Sequence, residues 1–143
     1  MGLVKKFKGV VNFMSDSKKV QKKRVDENKV YQLVINNQIK DINIRNIKTI
    51  KQKFNALILK EKFNHTIGFR FLGLKGFNSF GFKYEVDLIF CDKKYQVIET
   101  YSSFLPNKVT EHHSNAVIIF VLAKHSIKYL NIKLNDLIKI TKY

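Results

Sequence analysis

Few side chains in this sequence have both the type and the spacing that chemistry requires. Four histidines (His65, His112, His113, His125) and a single cysteine, Cys91, are its nitrogen and sulfur metal ligands. His112 and His113 are adjacent in a segment that reads as extended loop, where neighbouring side chains point to opposite sides and chelate one ion poorly. A metal site needs three or four ligands, and neither a cysteine pair nor a His-x-x-x-His helix supplies the rest. No metal and no cofactor are expected. Cys91 follows Phe90 in an apolar run and reads as a buried thiol with no base placed beside it. Gly73, Gly76 and Gly81 lack the Gly-Lys-Ser/Thr ending of a phosphate loop and lead into a strand rather than a helix. Asp87, beside Tyr84 and Glu85 at the start of Leu88-Ile89-Phe90, has two readings. It can hydrogen-bond a ligand at the rim of a sheet, together with Tyr84, or it can accept backbone N–H groups where a strand begins. No catalytic constellation emerges, so the expectation is a protein that is not an enzyme.

Charge is the stronger signal. The chain of 143 residues carries 27 basic against 11 acidic side chains, a net charge of +16, and 24 of the basic ones are Lys. Heavy use of Lys, Asn and Ile is also what AT-rich coding produces. Whatever its origin, such a field draws anionic partners: RNA, a ribonucleoprotein or an anionic membrane surface. Residues 1–29 concentrate it, with nine basic and three acidic side chains. Lys5, Lys6, Lys8, Lys18, Lys19, Lys22, Lys23 and Arg24 are the candidate contacts. The ring cluster Phe69, Phe71, Phe77, Phe80, Phe82 and Tyr84, interleaved with Arg70, Lys75 and Lys83, is either a stacking face for single-stranded nucleic acid or simply core.

These residues must be positioned by something. Leu3, Val4, Phe7, Val10, Val11 and Met14 recur at spacings of three and four, which predicts a basic amphipathic helix followed by a polar linker to residue 29. The domain proper, 30–143, reads as mainly β. VYQLVI, Asn36-Asn37 and QIKDINIRNI predict a hairpin whose second strand slips once in phase. Thr49 predicts the cap of a short helix with Ile50, Phe54, Leu57 and Ile58 on one face. Strands follow near 68–72, 77–84, 86–91 and 95–101, then a loop over 102–114 and a helical turn at 126–130. After a turn at Asn135-Asp136 comes a final strand, LIKIT. AVIIFVL (116–122) is apolar on both faces and should be central, burying Ile118, Ile119, Phe120 and Leu122 with Leu88 and Phe90. The expected fold is a compact β-sandwich or barrel-like domain with one short helix across it. A single Cys permits a reducing compartment, and no apolar stretch reaches the roughly 20 residues of a membrane span. A cytoplasmic protein, peripheral to the membrane where its basic helix meets lipid, is expected.

Three stretches resemble the small bacterial and archaeal family catalogued as domain of unknown function 192. Thr49 with Phe54-Asn55-Ala56-Leu57-Ile58 is similar to a helix ending in Gly-Leu-Met. The segment from Asn78 to Asp92 is similar to His-Thr-Phe-Gly-Met running into Ile-Asp-Val-Val-Phe-Leu-Asp. Ala116 to Ile138 is similar to a Val-Leu-Glu-Leu-Pro-Ala-Gly strand followed by an Ile-Lys-Val-Gly-Asp turn. The resemblance covers about two-thirds of the chain. It implies a β-domain with one short helix and no established reaction. The family's His falls at Asn78, its Glu at Val121, and three of its glycines at His125, Asn131 and Asn135. Asn and His readily take left-handed backbone geometry, so those three should keep their turns. Asn78 thereby joins Tyr84 and Asp87 as a candidate ligand contact. The functional expectation is a non-enzymatic binding or structural module for an anionic partner. The alternative is a small-molecule β-pocket, or a weak enzyme, using Asp87 and its neighbours.

Overall fold

The computed structural model describes residues 29–58 and 63–142. The amphipathic helix and linker expected over residues 1–29 lie outside them, Lys29 excepted, and so do the eight N-terminal cations named above. Strands β1 (Val30–Ile35) and β2 (Gln38–Ile47) form the expected hairpin. Asn36 and Asn37 take φ of 50° and 68°, left-handed at both central positions as a type I′ turn demands. Leu33 faces Lys40 but Gln32 faces Asn43, so Asp41 and Ile42 form a bulge in β2. This is the slip in phase. It leaves Ile39 exposed while Ile42 and Ile44 turn into the core.

A crossover returns the chain to β3 (Ile67–Leu72), which runs parallel to β2 from Asn43 opposite Ile67 to Ile47 opposite Phe71. Within it, α1 (Ile50–Lys53) widens into a π-helical turn over Phe54–Ile58. Its start is fixed reciprocally. Thr49 Oγ1 accepts the Gln52 N–H at 3.1 Å, and Gln52 Oε1 accepts the Lys48 and Thr49 N–H groups at 2.6 and 3.3 Å.

The remaining strands are β4 (Val86–Cys91), β5 (Val97–Phe104), β6 (Ile118–Ala123) and β7 (Ile138–Lys142), with one turn of helix, α2 (Ser126–Tyr129), before the last. One mixed sheet holds them in the order β5-β4-β6-β3-β2-β1-β7, antiparallel except for β2 beside β3. The sheet curls until its edges meet. Gln96 bridges Leu137, and Val97 donates to the Asp136 carbonyl at 2.9 Å. Every residue of β4 and β6 is buried. Their side chains alternate between two apolar layers, one around Ile44, Ile89, Phe120 and Leu122, the other around Phe69, Phe71, Phe90 and Ile119. Each large side chain buried in these layers is worth about 1.5–3 kcal/mol. The six residues expected at the core, Leu88, Phe90, Ile118, Ile119, Phe120 and Leu122, are all buried, whereas Ile50, expected on one helix face with Leu57, is exposed.

Residues 77–84 are not the expected strand. The Phe82 N–H closes a turn onto the Ser79 carbonyl at 3.1 Å, and Gly81 adopts φ 83°, so Phe77 and Phe82 both enter the core from a loop. The strand expected at 95–101 runs later, over Val97–Phe104, because Asp92 Oδ1 takes the N–H groups of Lys94 and Gln96 and holds a turn there. His125, Asn131 and Asn135 all have positive φ, at 76°, 55° and 72°.

Candidate anion-binding groove

Where the parallel strands β2 and β3 end, α1 and the loop after β3 enclose a groove of about 380 Å3. Asn46 closes it on the β2 side, Thr49 and Lys53 on the helix side, and Leu72, Leu74 and Asn78 on the loop side. The capping contacts of Thr49 and Gln52 set the helix so that Lys53 reaches 25 residues forward in sequence. Lys53 Nζ donates to the Asn78 carbonyl at 2.8 Å and to Asn78 Oδ1 at 3.3 Å, and it lies 4.4 Å from the centre of the Phe77 ring. The side chain is half-buried, and burial pushes its pKa below the ordinary lysine value. Among the described residues no carboxylate pairs with it. Polar oxygens and a ring face therefore hold a partly desolvated cation. Exposed Lys48 lines the same groove. A second half-buried cation stands behind the wall: Arg70 Nε donates to Asn46 Oδ1 at 2.7 Å. Its pKa too is lowered by burial, opposed by the nearby phenols of Tyr31 and Tyr95.

The three ligand candidates read from the sequence are not brought together. Asn78 lies in the groove. Tyr84 lines a separate hollow beside Glu85 and Lys124, where those two charges pair at 3.1 Å. Its hydroxyl donates to the Leu57 carbonyl at 2.8 Å, and burial raises its pKa. Asp87 is fully enclosed. Oδ1 accepts the Ser103 N–H at 2.9 Å and Oδ2 the Ile127 N–H at 2.8 Å, so each carboxylate oxygen already serves the backbone of another element. Of the ring cluster, Phe69, Phe71, Phe77 and Phe82 are buried edge against face, such as Phe71 on Phe77 at 5.2 Å, and offer no open stacking surface. Phe80 is the exposed exception.

The remaining reactive types are held by the fold. His113 Nε2 is 2.8 Å from the Tyr101 hydroxyl, with its ring against Phe90, while His112 is exposed. His65 Nε2 lies 2.8 Å from the Lys124 carbonyl oxygen. Among the described residues no three His, Cys, Asp or Glu side chains converge as metal ligands. Cys91 is buried, and burial with the neighbouring Asp92 pushes its pKa up to about 12. Sequence reasoning missed Lys53 and Asn46. The available signal was weak: Lys53 falls four residues after the Thr49 cap, on a turn expected to lie across the sheet.

No family model and no curated protein matches the chain. Two solved structures share its fold. One is a protein of unknown function from Novosphingobium aromaticivorans DSM 12444, 13% identical, with a TM-score of 0.65 over 77% of this chain and 83% of that one. The other is a candidate transcription regulator from Sinorhizobium meliloti 1021, 12% identical, with a TM-score of 0.64 over 78% of this chain and 92% of that one. At such identities the likeness is one of architecture, and architecture alone assigns no activity. No helix among the described residues is long and apolar enough to cross a membrane.

Proposed function

We propose that this protein is a non-catalytic binding module that receives an anionic group of its partner in the groove between α1 and the loop after β3. The observation that carries the reading is Lys53: half-buried, held by Asn78 and Phe77, and without a carboxylate partner among the described residues. The surplus of positive charge, including Lys5, Lys6, Lys8, Lys18, Lys19, Lys22, Lys23 and Arg24, supports it by steering anions toward the surface. Membership of the domain of unknown function 192 family is part of the proposal. It is supported by the positive φ of His125, Asn131 and Asn135, the three positions where that family carries glycine. The lone thiol is compatible with a reducing cytoplasm.

Calorimetric titration with inositol hexakisphosphate tests the reading with a soluble polyanion that favours neither lipid nor nucleic acid. Replacing both groove lysines (Lys48→Met, Lys53→Met) should weaken binding about fivefold or more. The same loss of charge at Lys128 and Lys133 (Lys128→Met, Lys133→Met), both exposed and outside the groove lining, should weaken it about twofold or less. Equal effects of the two pairs, or binding indifferent to salt, would refute the groove as the site.

A further inference from the structure

The groove opens onto a face whose composition is unusual for a protein surface. Ile50 is 87% exposed, Val109 63%, Phe80 54%, Leu72 54% and Leu105 51%. These residues form one neighbourhood. Ile50, Leu72 and Asn78 line the groove, Asn78 bridges Val109, and Ser79 ties its own loop to residues 105–108. Ser79 is fully buried. Its hydroxyl donates to the Leu105 carbonyl at 2.6 Å and accepts the Lys108 N–H at 3.0 Å, while its backbone bonds Lys108 and Asn107. Asn107 Oδ1 takes the Gly81 N–H at 2.9 Å. The two loops are thus braced on each other, and what they present outward at their tips is Phe80, Leu105 and Val109. Bracing of this kind satisfies the backbone internally and leaves large apolar side chains in water, which the fold itself does not require.

Charge narrows the occupant. The stretches 48–58, 72–84 and 104–110 contain no Asp or Glu, but they carry Lys48, Lys51, Lys53, Lys75, Lys83 and Lys108. Apolar tips within a lysine-rich field, with exposed Glu111 at its margin, match the cross-section of an anionic bilayer, with hydrocarbon beneath phosphate and carboxylate headgroups. A single-stranded nucleic acid would meet the cations, but of the ring cluster Phe69, Phe71, Phe77 and Phe82 are buried, Tyr84 is half-buried and Phe80 alone is exposed.

Resting on the anion-binding reading above, we infer that this end of the sheet docks on an anionic membrane surface, inserting Phe80 and Leu105 while the groove lysines engage headgroups. The test uses the full chain in co-sedimentation with vesicles of phosphatidylcholine alone or mixed with phosphatidylserine, at low and high salt. Wild-type protein should pellet with the mixed vesicles at low salt. Phe80→Ser combined with Leu105→Ser should bind them about tenfold more weakly, while keeping wild-type affinity for inositol hexakisphosphate. Retained affinity for that probe also reports that the variant is folded. Vesicle binding unchanged in the double variant would overturn the inference. So would binding to labelled oligouridylate but not to vesicles, which leaves the anion-binding reading standing with RNA as partner. A wild-type dimer that the double variant converts to monomer, with no vesicle binding, would overturn it in favour of a second copy. Failure to bind any of the three anionic probes removes the anion-binding reading itself.

Discussion

Asp87→Asn separates the two roles that an acid at this position can play. In the structure the carboxylate accepts one N–H from Ser103 at the end of β5 and one from Ile127 at the start of α2, with no exposure to solvent. A hydrogen bond from an amide to a charged acceptor contributes about 1.5–3 kcal/mol. Asparagine is nearly isosteric but keeps a single oxygen, so one bond survives and an NH2 group is turned toward the other donor. The loss is that second bond plus the burial of an unpaired N–H, reduced because a neutral side chain is cheaper to bury. We expect a net cost of about 2–3 kcal/mol, a large share of the 5–15 kcal/mol that usually holds a domain together. Asp87→Ala, which leaves both donors without an acceptor, should cost more. Urea unfolding followed by circular dichroism measures both variants, and titration with inositol hexakisphosphate should show unchanged affinity. A loss under about 1 kcal/mol, or intact stability with weakened binding, would show that Asp87 faces a ligand and that the structural argument is wrong.

Ile119→Ala empties a fully buried position in the central strand and should cost roughly 2–5 kcal/mol in the same unfolding assay. Gly68→Ala should cost about 1–3 kcal/mol, because a Cβ there would stand 2.5 Å from Leu122 Cδ2 and 2.7 Å from Ile44 Cδ1 inside the packed layer. Cys91, with its pKa pushed up to about 12, stays a protonated thiol at neutral pH. It should react with a thiol-specific disulfide reagent only after urea unfolds the chain; fast labelling of the native protein would contradict its burial.

What the sequence made legible were features in which local chemistry and tertiary need agree. Asn36-Asn37 suits only a tight turn, Thr49 suits a cap, and a run of seven apolar residues ending in Leu122 suits a strand covered on both faces. The stretch 77–84 misled because Phe77, Phe80, Phe82 and Tyr84 are β-formers near alternate positions. There the hydrogen bonds of a buried Ser79 to a loop 26 to 29 residues away override propensity. The groove was illegible for a related reason. Lys53 and Asn78 are 25 residues apart and meet only because the β2–β3 crossover is parallel and sets α1 over the loop after β3. The exposed Leu105 escaped notice, and Phe80 was singled out only as one ring of a cluster, because hydrophobic letters are read by default as core.

The seam between Gln96 and Leu137 bears on how this fold is made. The β1–β2 hairpin is local and can form as soon as its 18 residues exist. The other side of β1 is filled by β7, and the Asn36 amide reaches across to Asp136 and Leu137, about 100 residues further along the chain. Until β7 arrives, β1 is an open edge, the start of β5 lacks the Asp136 and Leu137 contacts, and both apolar layers lie under an unsealed wall. Loop closure over such a span is slow compared with hairpin formation. Folding should therefore pass through a six-stranded sheet whose bare edges β1 and β5 are templates for intermolecular pairing. The final strand, with its alternating Ile138-Lys139-Ile140-Thr141-Lys142, is then also the element that ends the chain's vulnerability to aggregation.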